Sequence, residues 1–387
     1  MTGGKGFWMC FPNRVAYQND AGGFCIKNCQ LFMYTHICSL ENVLKAYFLA
    51  CKGNRYKAAV TRYSFLLESN LIALTHTLVN GTYSPRPYTH FTVTDPKKRQ
   101  IAAPAFPDRI VQHALVKIIE PLFEKCFITD SYACRKGKGT HFALRRLKKF
   151  LHASRTEYGQ NCEIYILKCD IRKYFPSIDW DVLLTLLKRK INCLKTYELM
   201  KRIVTTHEVY GMTNLSLPLD LNEPVSVAGR RGLPIGNLTS QLFANVYLNE
   251  LDQFVKHELR ERWYCRYMDD FLIISNDKKH LQEIKDKINQ FLITKLQLSL
   301  HPRKSFVENV KNGVSFVGYR VFWDHVLIRG NTLLRMQKKF RKKMHNLKKG
   351  TITQKKIEET KSSILGYFKH ANCFGLTRKM FGENKVR

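Results

Sequence analysis

The chain has 387 residues, with 64 lysines and arginines against 31 acidic residues, and a formal net charge of +33 at pH 7. Such an excess repels itself unless a polyanion compensates it, so the composition predicts a nucleic-acid partner. Hydrophobic residues make up 44% of the chain, which allows a substantial core in two or three subdomains. No apolar run approaches the roughly 20 residues of a membrane span, so a membrane partner is not expected.

Residues 1–39 are rich in glycine and cysteine and predict an N-terminal extension of unknown role. Four cysteines there raise the alternative of a zinc site, but no Cys-x₂-Cys pair occurs among them, which favours free thiols (Cys10, Cys25, Cys29 and Cys38). Other cysteines lie inside predicted core elements, and no signal peptide is apparent. We therefore expect a reduced, cytoplasmic protein.

The next elements alternate strands, turns and a helix. Residues 91–94 and 99–101 predict two strands joined by a turn at 95–98. Pro107 opens a predicted helix with apolar residues at helical spacing. A basic stretch at 131–140 contains Gly-Lys-Gly but lacks the spacing of a phosphate-binding loop.

Two predicted strand ends carry carboxylates. Residues 164–167 are apolar on both faces and predict a buried strand that ends at Asp170. Apolar runs at 263–265 and 271–274 predict a hairpin with Asp269 and Asp270 at its tight turn. Adjacent carboxylates repel one another, and a divalent metal is the usual reason to tolerate them; two Mg²⁺ ions would then serve in-line phosphoryl transfer. The alternative is that Asp170 is a helix cap or turn residue and that Asp269-Asp270 is an ordinary surface turn.

These motifs resemble those of reverse transcriptases, over residues 56–374. Asp170 matches the motif A aspartate, and Tyr-Met-Asp-Asp at 267–270 matches motif C. The resemblance implies an α+β right-hand polymerase with an antiparallel palm sheet backed by helices, divided into fingers at 40–160, palm at 161–325 and a basic helical thumb at 326–387. It also implies catalytic aspartates at 170, 269 and 270. Two Mg²⁺ ions, for which Mn²⁺ can substitute, would be held by Asp170, Asp269 and the Ile171 carbonyl, with Asp270 contributing mainly charge.

Motif B narrows the resemblance. The family pattern is Gln-Gly followed after three residues by Ser-Pro, whereas this chain has Ile235 for the glutamine, Gly236 and Ser240 in place, and Gln241 for the proline. This departure is similar to the reverse transcriptases of diversity-generating retroelements. It implies a mutagenic polymerase that copies a template-repeat RNA into cDNA from a DNA primer and deoxynucleotides, with errors at adenines. It further implies a small basic accessory variability determinant protein that assembles as a homopentamer.

The resemblance assigns roles to further residues. Lys97 and Arg99 would hold the triphosphate of the incoming nucleotide, and Phe175 would exclude a ribose 2′-hydroxyl. The motif B residues Ile235, Gly236 and Gln241 would also contact this nucleotide. Lys304 matches the motif D lysine near the departing pyrophosphate. Template contacts fall to three cations of the basic stretch (Arg135, Lys136 and Lys138), and residues 315–321 predict a strand that forms the primer grip, with Gly318 and Tyr319. The alternatives are solvated basic residues for the cations and core packing for Phe175.

Residues 329–387 carry seventeen lysines or arginines and three glutamates, and apolar residues recur there at helical spacing. This pattern predicts a thumb helix along a nucleic-acid duplex; a membrane-surface helix is the alternative, and the segment lacks the tryptophan typical of one.

Two further interpretations of the whole chain remain. One is a reverse transcriptase of a group II intron or a retron, although the Asn-Ala-x₂-His and Val-Thr-Gly signatures of retrons are absent. The other is a non-catalytic RNA-binding scaffold with a polymerase fold.

Overall fold

A computed structural model describes residues 8–11, 14–18, 24–94, 98–209 and 230–382. Within these ranges the chain is α+β, as predicted, and it divides into two compact units built from interleaved segments. The first unit comprises Met1–Phe127, Lys173–Glu250 and Lys295–Leu298, and the second comprises Ile128–Arg172, Leu251–Thr294 and Ser299–Arg387. The division of the sequence into fingers, palm and thumb stays a prediction.

The strands of the described ranges, in chain order, are β1 (Trp8–Phe11), β2 (Arg14–Gln18), β3 (Phe24–Asn28), β4 (Thr89–Val93), β5 (Arg99–Ala103), β6 (Tyr165–Asp170), β7 (Tyr264–Tyr267), β8 (Asp270–Ser275), β9 (Phe306–Asn309), β10 (Val314–Phe316), β11 (Tyr319–Val321) and β12 (Val326–Ile328). The α-helices are α1 (Cys29–Cys38), α2 (Leu40–Cys51), α3 (Ala58–Phe65), α4 (Leu67–Val79), α5 (Phe106–Glu124), α6 (Thr140–Tyr158), α7 (Tyr174–Ser177), α8 (Trp180–Lys190), α9 (Leu194–Val209), α10 (Leu238–Gln253), α11 (Lys278–Leu296), α12 (Gly330–Lys348), α13 (Gln354–Phe368) and α14 (Phe374–Phe381). A π-helical segment, Phe254–Glu258, continues α10. None of the described helices is long and apolar enough to cross a membrane.

The first unit is mainly helical. Helix α5 begins with a proline in its first turn, as predicted, and packs against α2. The buried Asp108 carboxylate near the start of α5 accepts hydrogen bonds from the Tyr83 hydroxyl at 3.0 Å and the Arg86 backbone N–H at 2.9 Å. These bonds satisfy a charge that burial would otherwise penalise. The antiparallel β4–β5 hairpin confirms the two predicted strands at 91–94 and 99–101, whereas residues 95–97 of the predicted turn lie outside the described residues.

The second unit contains a four-stranded antiparallel sheet in the order β7-β8-β6-β9. Strand β6 is internal to this sheet, and Ile166 and Leu167, whose side chains point to opposite faces, are both buried. This confirms the predicted strand with two apolar faces. Helix α6 and the smaller sheet β10-β11-β12 join β6, β7 and β8 in one hydrophobic core cluster.

The structure corrects the single strand predicted at 315–321. The segment forms the β10–β11 hairpin instead, with a turn at Val317 and Gly318. Both turn residues have positive φ, 43° and 90°. Glycine adopts such angles readily, so Gly318 reverses the chain here rather than continuing a strand.

The predicted basic helix at the C-terminal end is confirmed as α12. Its apolar residues Leu333, Met336 and Phe340 pack against the core cluster of the second unit. Its lysines and arginines are largely exposed or half-buried. The helix therefore partly buries the predicted apolar stripe and presents its charge to solvent.

Candidate active site

The two aspartate-bearing strands are neighbours in the sheet of the second unit. Strands β6 and β8 pair antiparallel, and Asp170 lies directly opposite Asp270 in their register. Directly opposite residues of antiparallel strands project to the same face of the sheet, with Cβ atoms roughly 4.5–5.5 Å apart. The structure thus brings the motif A and motif C carboxylates together, as the sequence predicted.

The turn between β7 and β8 has two central residues, Met268 and Asp269, between the paired Tyr267 and Asp270. Met268 has a φ of 59°, which is uncommon for a residue other than glycine. A positive φ at this first central position suits the twist of a tight hairpin. The predicted hairpin with aspartates at its turn is therefore confirmed, and its backbone is strained at Met268.

The carboxylate of Asp270 is partly exposed and partly buried. Its Oδ1 atom is buried and has no hydrogen-bond partner among the residues that the structure describes, although 28% of the side-chain surface is exposed. The pKa of this carboxyl is raised from 3.8 to about 6, mainly by burial and also by the charges of Asp269 and Asp170, against the opposing effect of Lys168. The three acidic groups therefore act on one another electrostatically.

Two lysines accompany the carboxylates. Lys304 Nζ lies 3.0 Å from Asp170 Oδ1, so the lysine predicted from motif D is placed beside the motif A aspartate. Lys168 Nζ lies 3.7 Å from Asp270 Oδ2 and donates a 2.5 Å hydrogen bond to the Ser315 carbonyl in β10. Since Lys168 precedes Asp170 by two positions in β6, both side chains project to the same face.

The donor set suits a hard divalent cation, because carboxylate oxygens are the ligands that Mg²⁺ prefers. The uncompensated Oδ1 of Asp270 supports this fit. However, no group of three or more His, Cys, Asp or Glu side chains in the described ranges is arranged to hold a metal ion. Asp170 and Asp270 are paired with lysines in this arrangement, and the metal set of Asp170, Ile171, Asp269 and Asp270 stays a prediction.

The first unit gathers three of the residues predicted to contact the nucleotide. The Phe175 carbonyl accepts a 2.9 Å hydrogen bond from the Leu233 N–H, and the Ile235 carbonyl accepts one of 3.2 Å from Ala102 in β5. Gly236 has a φ of 121°, and a Cβ there would lie 3.0 Å from Ile101 Cγ2. The departure from the motif B glutamine therefore lies in a segment that contacts the second strand of the β4–β5 hairpin.

The residues predicted to bind the nucleotide differ in exposure and in location. Arg99 is exposed at the start of β5, opposite Val93. Gln241 is half-buried in the first turns of α10. Phe175 is half-buried with its ring edge-on to Tyr174, 5.5 Å between centroids. Lys97 lies outside the described residues.

The basic stretch in the second unit separates into internal and exposed cations. Arg135 is 9% exposed, and its guanidinium donates to the carbonyls of Ile128 at 2.6 Å and Ser131 at 2.8 Å. This geometry gives Arg135 a structural role, and its template contact stays a prediction. Lys136 is exposed, and Lys138 is half-buried with its ammonium group bonded to the Thr129 carbonyl.

Tyr319, like Arg135, makes internal contacts. It is fully buried, its ring stacks on Tyr367 at 4.4 Å, and its hydroxyl donates to the Tyr367 carbonyl at 3.0 Å. The side chain therefore has a packing role, and the primer contact of this residue stays a prediction. At Gly318 a Cβ would lie 2.2 Å from the Tyr367 hydroxyl, so an internal contact requires the glycine.

The sequence interpretation did not single out Lys168 or Arg266. Arg266, in β7, is fully buried and paired with the buried Asp252, with 2.6 Å between Nη2 and Oδ2. The available signal was a charged residue inside an otherwise apolar and aromatic strand, which predicts a buried, paired charge. For Lys168 the signal was its position two residues before Asp170.

Comparison with known proteins identifies relatives. The family described as "Reverse transcriptase (RNA-dependent DNA polymerase)" matches residues 94–321. Protein YkfC of Escherichia coli strain K12 is 28% identical over 291 residues, covering 66% of this chain and 72% of that protein. The group II intron-encoded protein LtrA of Lactococcus lactis subsp. cremoris is 23% identical over 327 residues, covering 66% of this chain and 50% of LtrA. The chain thus spans about half the length of the intron-encoded relative.

Among solved structures, apo telomerase from Candida tropicalis aligns with a TM-score of 0.46 and 12% identity, covering 81% of this chain and 64% of that one. This likeness is too weak to carry an argument about the site.

Proposed function

Because this chain belongs to the reverse transcriptase family of RNA-dependent DNA polymerases, we propose that it copies an RNA template into cDNA at the face of the sheet that carries Asp170, Asp269 and Asp270. The observation that carries this proposal is the β6–β8 register, which sets Asp170 opposite Asp270. Deoxynucleotides, a template RNA and a cDNA or DNA primer are the substrates. The net charge of +33 supports polyanionic substrates.

Two divalent ions, Mg²⁺ or Mn²⁺, would lower the pKa of the attacking 3′-hydroxyl and neutralise charge on the departing pyrophosphate. Asp170 and Asp269 would hold them through their carboxylates, with the Ile171 carbonyl as a further ligand. Asp270 would add negative charge that keeps cations at the site. Lys304, whose ammonium group lies 3.0 Å from Asp170, would supply a proton or positive charge to the pyrophosphate.

Residues of the first unit would bind and select the nucleotide. Phe175 would exclude a ribose 2′-hydroxyl by bulk, and the cations of the β4–β5 hairpin, Lys97 and Arg99, would bind the triphosphate. Arginine suits this role because its planar guanidinium can bind phosphate oxygens in bidentate fashion. Lys136 and Lys138 would contact the template backbone in the second unit.

Errors at adenines are the finer part of the proposal. Ile235 supplies bulk but no hydrogen bond at the position where the family places a glutamine beside the incoming nucleotide. Geometric checking of the nascent pair would then be weaker. The contact of this segment with β5 supports the idea that its side chains matter to nucleotide fit.

The test is primer extension on a defined RNA with Mg²⁺ and all four deoxynucleotides, followed by sequencing of the cDNA sorted by template base. Errors concentrated opposite adenine are expected for the natural chain, and Ile235→Gln should reduce them. An unchanged error spectrum in Ile235→Gln would remove the assigned role of Ile235. Asp269→Ala is the control that separates synthesis by this chain from a contaminating polymerase.

A second candidate is a group II intron-type reverse transcriptase, which the similarity to LtrA favours. In the same assay, a group II intron-type enzyme is expected to give uniformly accurate cDNA, which distinguishes it from the mutagenic polymerase. The accessory homopentamer belongs to the first candidate alone, so stimulation of cDNA synthesis by that protein would support diversification. Absence of any product with the accessory protein present would favour the non-catalytic scaffold.

A further inference from the structure

A buried guanidinium lies beneath the catalytic turn of the second unit. Arg266 is 0% exposed, and its Nε and Nη2 atoms donate to Asp252 Oδ1 at 2.7 Å and Oδ2 at 2.6 Å. The same Nη2 donates to Ser131 Oγ at 3.1 Å. The remaining terminal nitrogen, Nη1, donates to the Met268 carbonyl at 3.0 Å. The side chain therefore joins a fixed anchor to the turn that precedes Asp269.

The anchor is itself fully buried. Asp252 is 0% exposed in the last turn of α10, and its Oδ1 also accepts a 2.6 Å hydrogen bond from the Tyr264 hydroxyl. Three donors, two from Arg266 and one from Tyr264, thus bind the Asp252 carboxylate and fix its orientation. A buried ion pair of this kind is poor evidence of stabilisation, because the desolvation of both charges offsets their attraction. The hydrogen bond to the turn gives the pair a use that apolar packing could not supply.

The turn needs such a restraint. Met268 has a φ of 59°, a conformation that costs free energy for a residue other than glycine. The hydrogen bond from Arg266 is made to the carbonyl of that residue, so it opposes relaxation of the peptide that leads into Asp269. The main chain of Arg266 is held as well, by hydrogen bonds of 2.9 Å to the Asp130 carbonyl and 3.0 Å from the Tyr132 N–H.

We propose that Arg266 is a positioning residue for polymerisation, which holds the Met268 carbonyl through the Asp252 anchor and so fixes the placement of Asp269 and Asp270. This inference rests on the proposed polymerase function. Arg266 touches neither substrate nor reacting atoms, and it acts through the turn alone. Outer-shell residues of this kind typically change metal affinity or activity by roughly 10- to 100-fold when mutated.

Two variants remove the bond to the turn without leaving a lone buried charge. Arg266→Lys keeps the positive charge opposite Asp252 but loses the fork that reaches the Met268 carbonyl. The double variant Arg266→Gln/Asp252→Asn neutralises both partners. The matched control is Arg146→Lys, because Arg146 makes a similar two-nitrogen contact with Asp130, at 2.7 and 3.2 Å, and has no hydrogen bond to the turn among those the structure describes. Ser131→Ala removes one partner of the guanidinium and leaves the turn contact in place.

Three measurements are made on each full-length variant: kcat and KM for primer extension, Mn²⁺ binding by electron paramagnetic resonance, and thermal unfolding. We expect both Arg266 variants to lose roughly 10- to 100-fold in kcat and to bind Mn²⁺ more weakly, with little change in KM for the deoxynucleotide. Arg146→Lys, at a side chain that is 37% exposed, should lose less thermal stability and retain kcat and Mn²⁺ affinity, and Ser131→Ala should resemble the natural chain.

The inference is overturned if Arg266→Lys keeps natural kcat and Mn²⁺ affinity. It is also overturned if Arg146→Lys loses activity in the same proportion, since a general loss of stability would then explain both. Failure of the natural chain to extend a primer would count against the proposed function instead. In that case Mn²⁺ binding decides the inference: weaker binding by the Arg266 variants supports it, and equal binding refutes it.

Discussion

Asp170 and Asp270 face each other across β6 and β8, in an antiparallel register that places both carboxylates on one face of the sheet. Like charges directly opposite one another destabilise a strand pair. The chain moderates the repulsion with Lys304 beside Asp170 and Lys168 beside Asp270. The two lysines therefore offset part of the negative charge, and divalent cations would have to displace or outcompete them.

Loss of the turn carboxylate should abolish synthesis and spare binding. We expect Asp269→Asn to lower primer extension at least roughly 100-fold, equivalent to about 2.7 kcal/mol of barrier. Template affinity at fixed salt should stay near that of the natural chain, because basic residues supply it. The measurements are single-turnover extension and a nucleic-acid binding titration. Asp286→Asn, at an exposed position of α11, is the matched control, and substantial synthesis by Asp269→Asn would contradict the metal assignment.

The raised pKa of Asp270 has a consequence for stability. An acid with a higher pKa in the folded than in the unfolded protein contributes stability that is full below the unfolded value, here 3.8, and is lost as the pH rises through about 6. The shift corresponds to roughly 3 kcal/mol at most. In EDTA, Asp270→Asn should therefore raise the free energy of unfolding at pH 7.5 and have progressively less effect as the pH falls towards 4.

Urea unfolding of both proteins across this pH range checks the expectation. The difference in unfolding free energy between them should grow between pH 4 and pH 7. A difference that is constant over the range would show that the Asp270 carboxyl ionises normally in the folded protein.

Lys304 should affect chemistry more than binding. We expect Lys304→Ala to lower kcat by roughly 10²-fold, the lower end of the range for a positioned acid or base, with template affinity nearly unchanged. Lys304→Arg should restore part of the rate if positive charge suffices. Lys311→Ala is the control, since Lys311 is an exposed lysine that pairs with Glu163 at 3.6 Å in the same unit. Equal rates for Lys304→Ala and Lys311→Ala would reduce Lys304 to a solvated residue.

Gly318 should tolerate no side chain, for two separable reasons. Alanine there meets the Tyr367 hydroxyl at 2.2 Å and must adopt a φ of 90°. Gly350, with a φ of 69° and no heavy atom within 4 Å of an added Cβ, isolates the second reason. We expect Gly350→Ala to cost about 1 kcal/mol of unfolding free energy and Gly318→Ala to cost about 2–4 kcal/mol.

Removing the clashing hydroxyl should rescue part of this loss. In the Gly318→Ala/Tyr367→Phe double variant the nearest ring atom, Cζ, lies 3.4 Å from the added Cβ. Denaturant unfolding of the single and double variants measures the coupling. Additive effects would show that the Tyr367 contact does not set the requirement for glycine.

Local pattern was sufficient for several elements. Short apolar and aromatic runs on either side of the acidic turn predicted β7 and β8, and a proline before an apolar stripe predicted the start of α5. The pairing of β6 with β8 followed only from chemistry, because three carboxylates needed a common reason to be tolerated. These features follow from the pattern of neighbouring residues or from the positions of charged residues, and both can be seen in the sequence.

Other features depend on tertiary contacts that a local sequence pattern does not display. The motif E segment alternated like one strand, and its reversal at Gly318 is set by Tyr367, which packs against it from α13. Tyr319 resembled an exposed contact residue but stacks on the same Tyr367. Arg135 resembled a nucleic-acid contact, but backbone carbonyls accept its hydrogen bonds. Arg266 was not singled out from the sequence, and its partner is a buried aspartate. Local pattern can indicate that a charge is buried and paired, as at Arg266, but it does not identify the partner.

The order of strands in the second unit bears on how the chain is made. Strand β6 ends at Asp170, and both of its neighbours in the sheet come much later in the chain. Strand β8 begins at Asp270, and β9 begins at Phe306. At a ribosomal rate of about 5–20 residues per second, the 100 residues from Asp170 to Asp270 take on the order of 5–20 s to emerge. During that interval an apolar strand has neither edge paired, a state prone to aggregation. The topology therefore leaves β6 open to non-native pairing during synthesis, before any substrate is met.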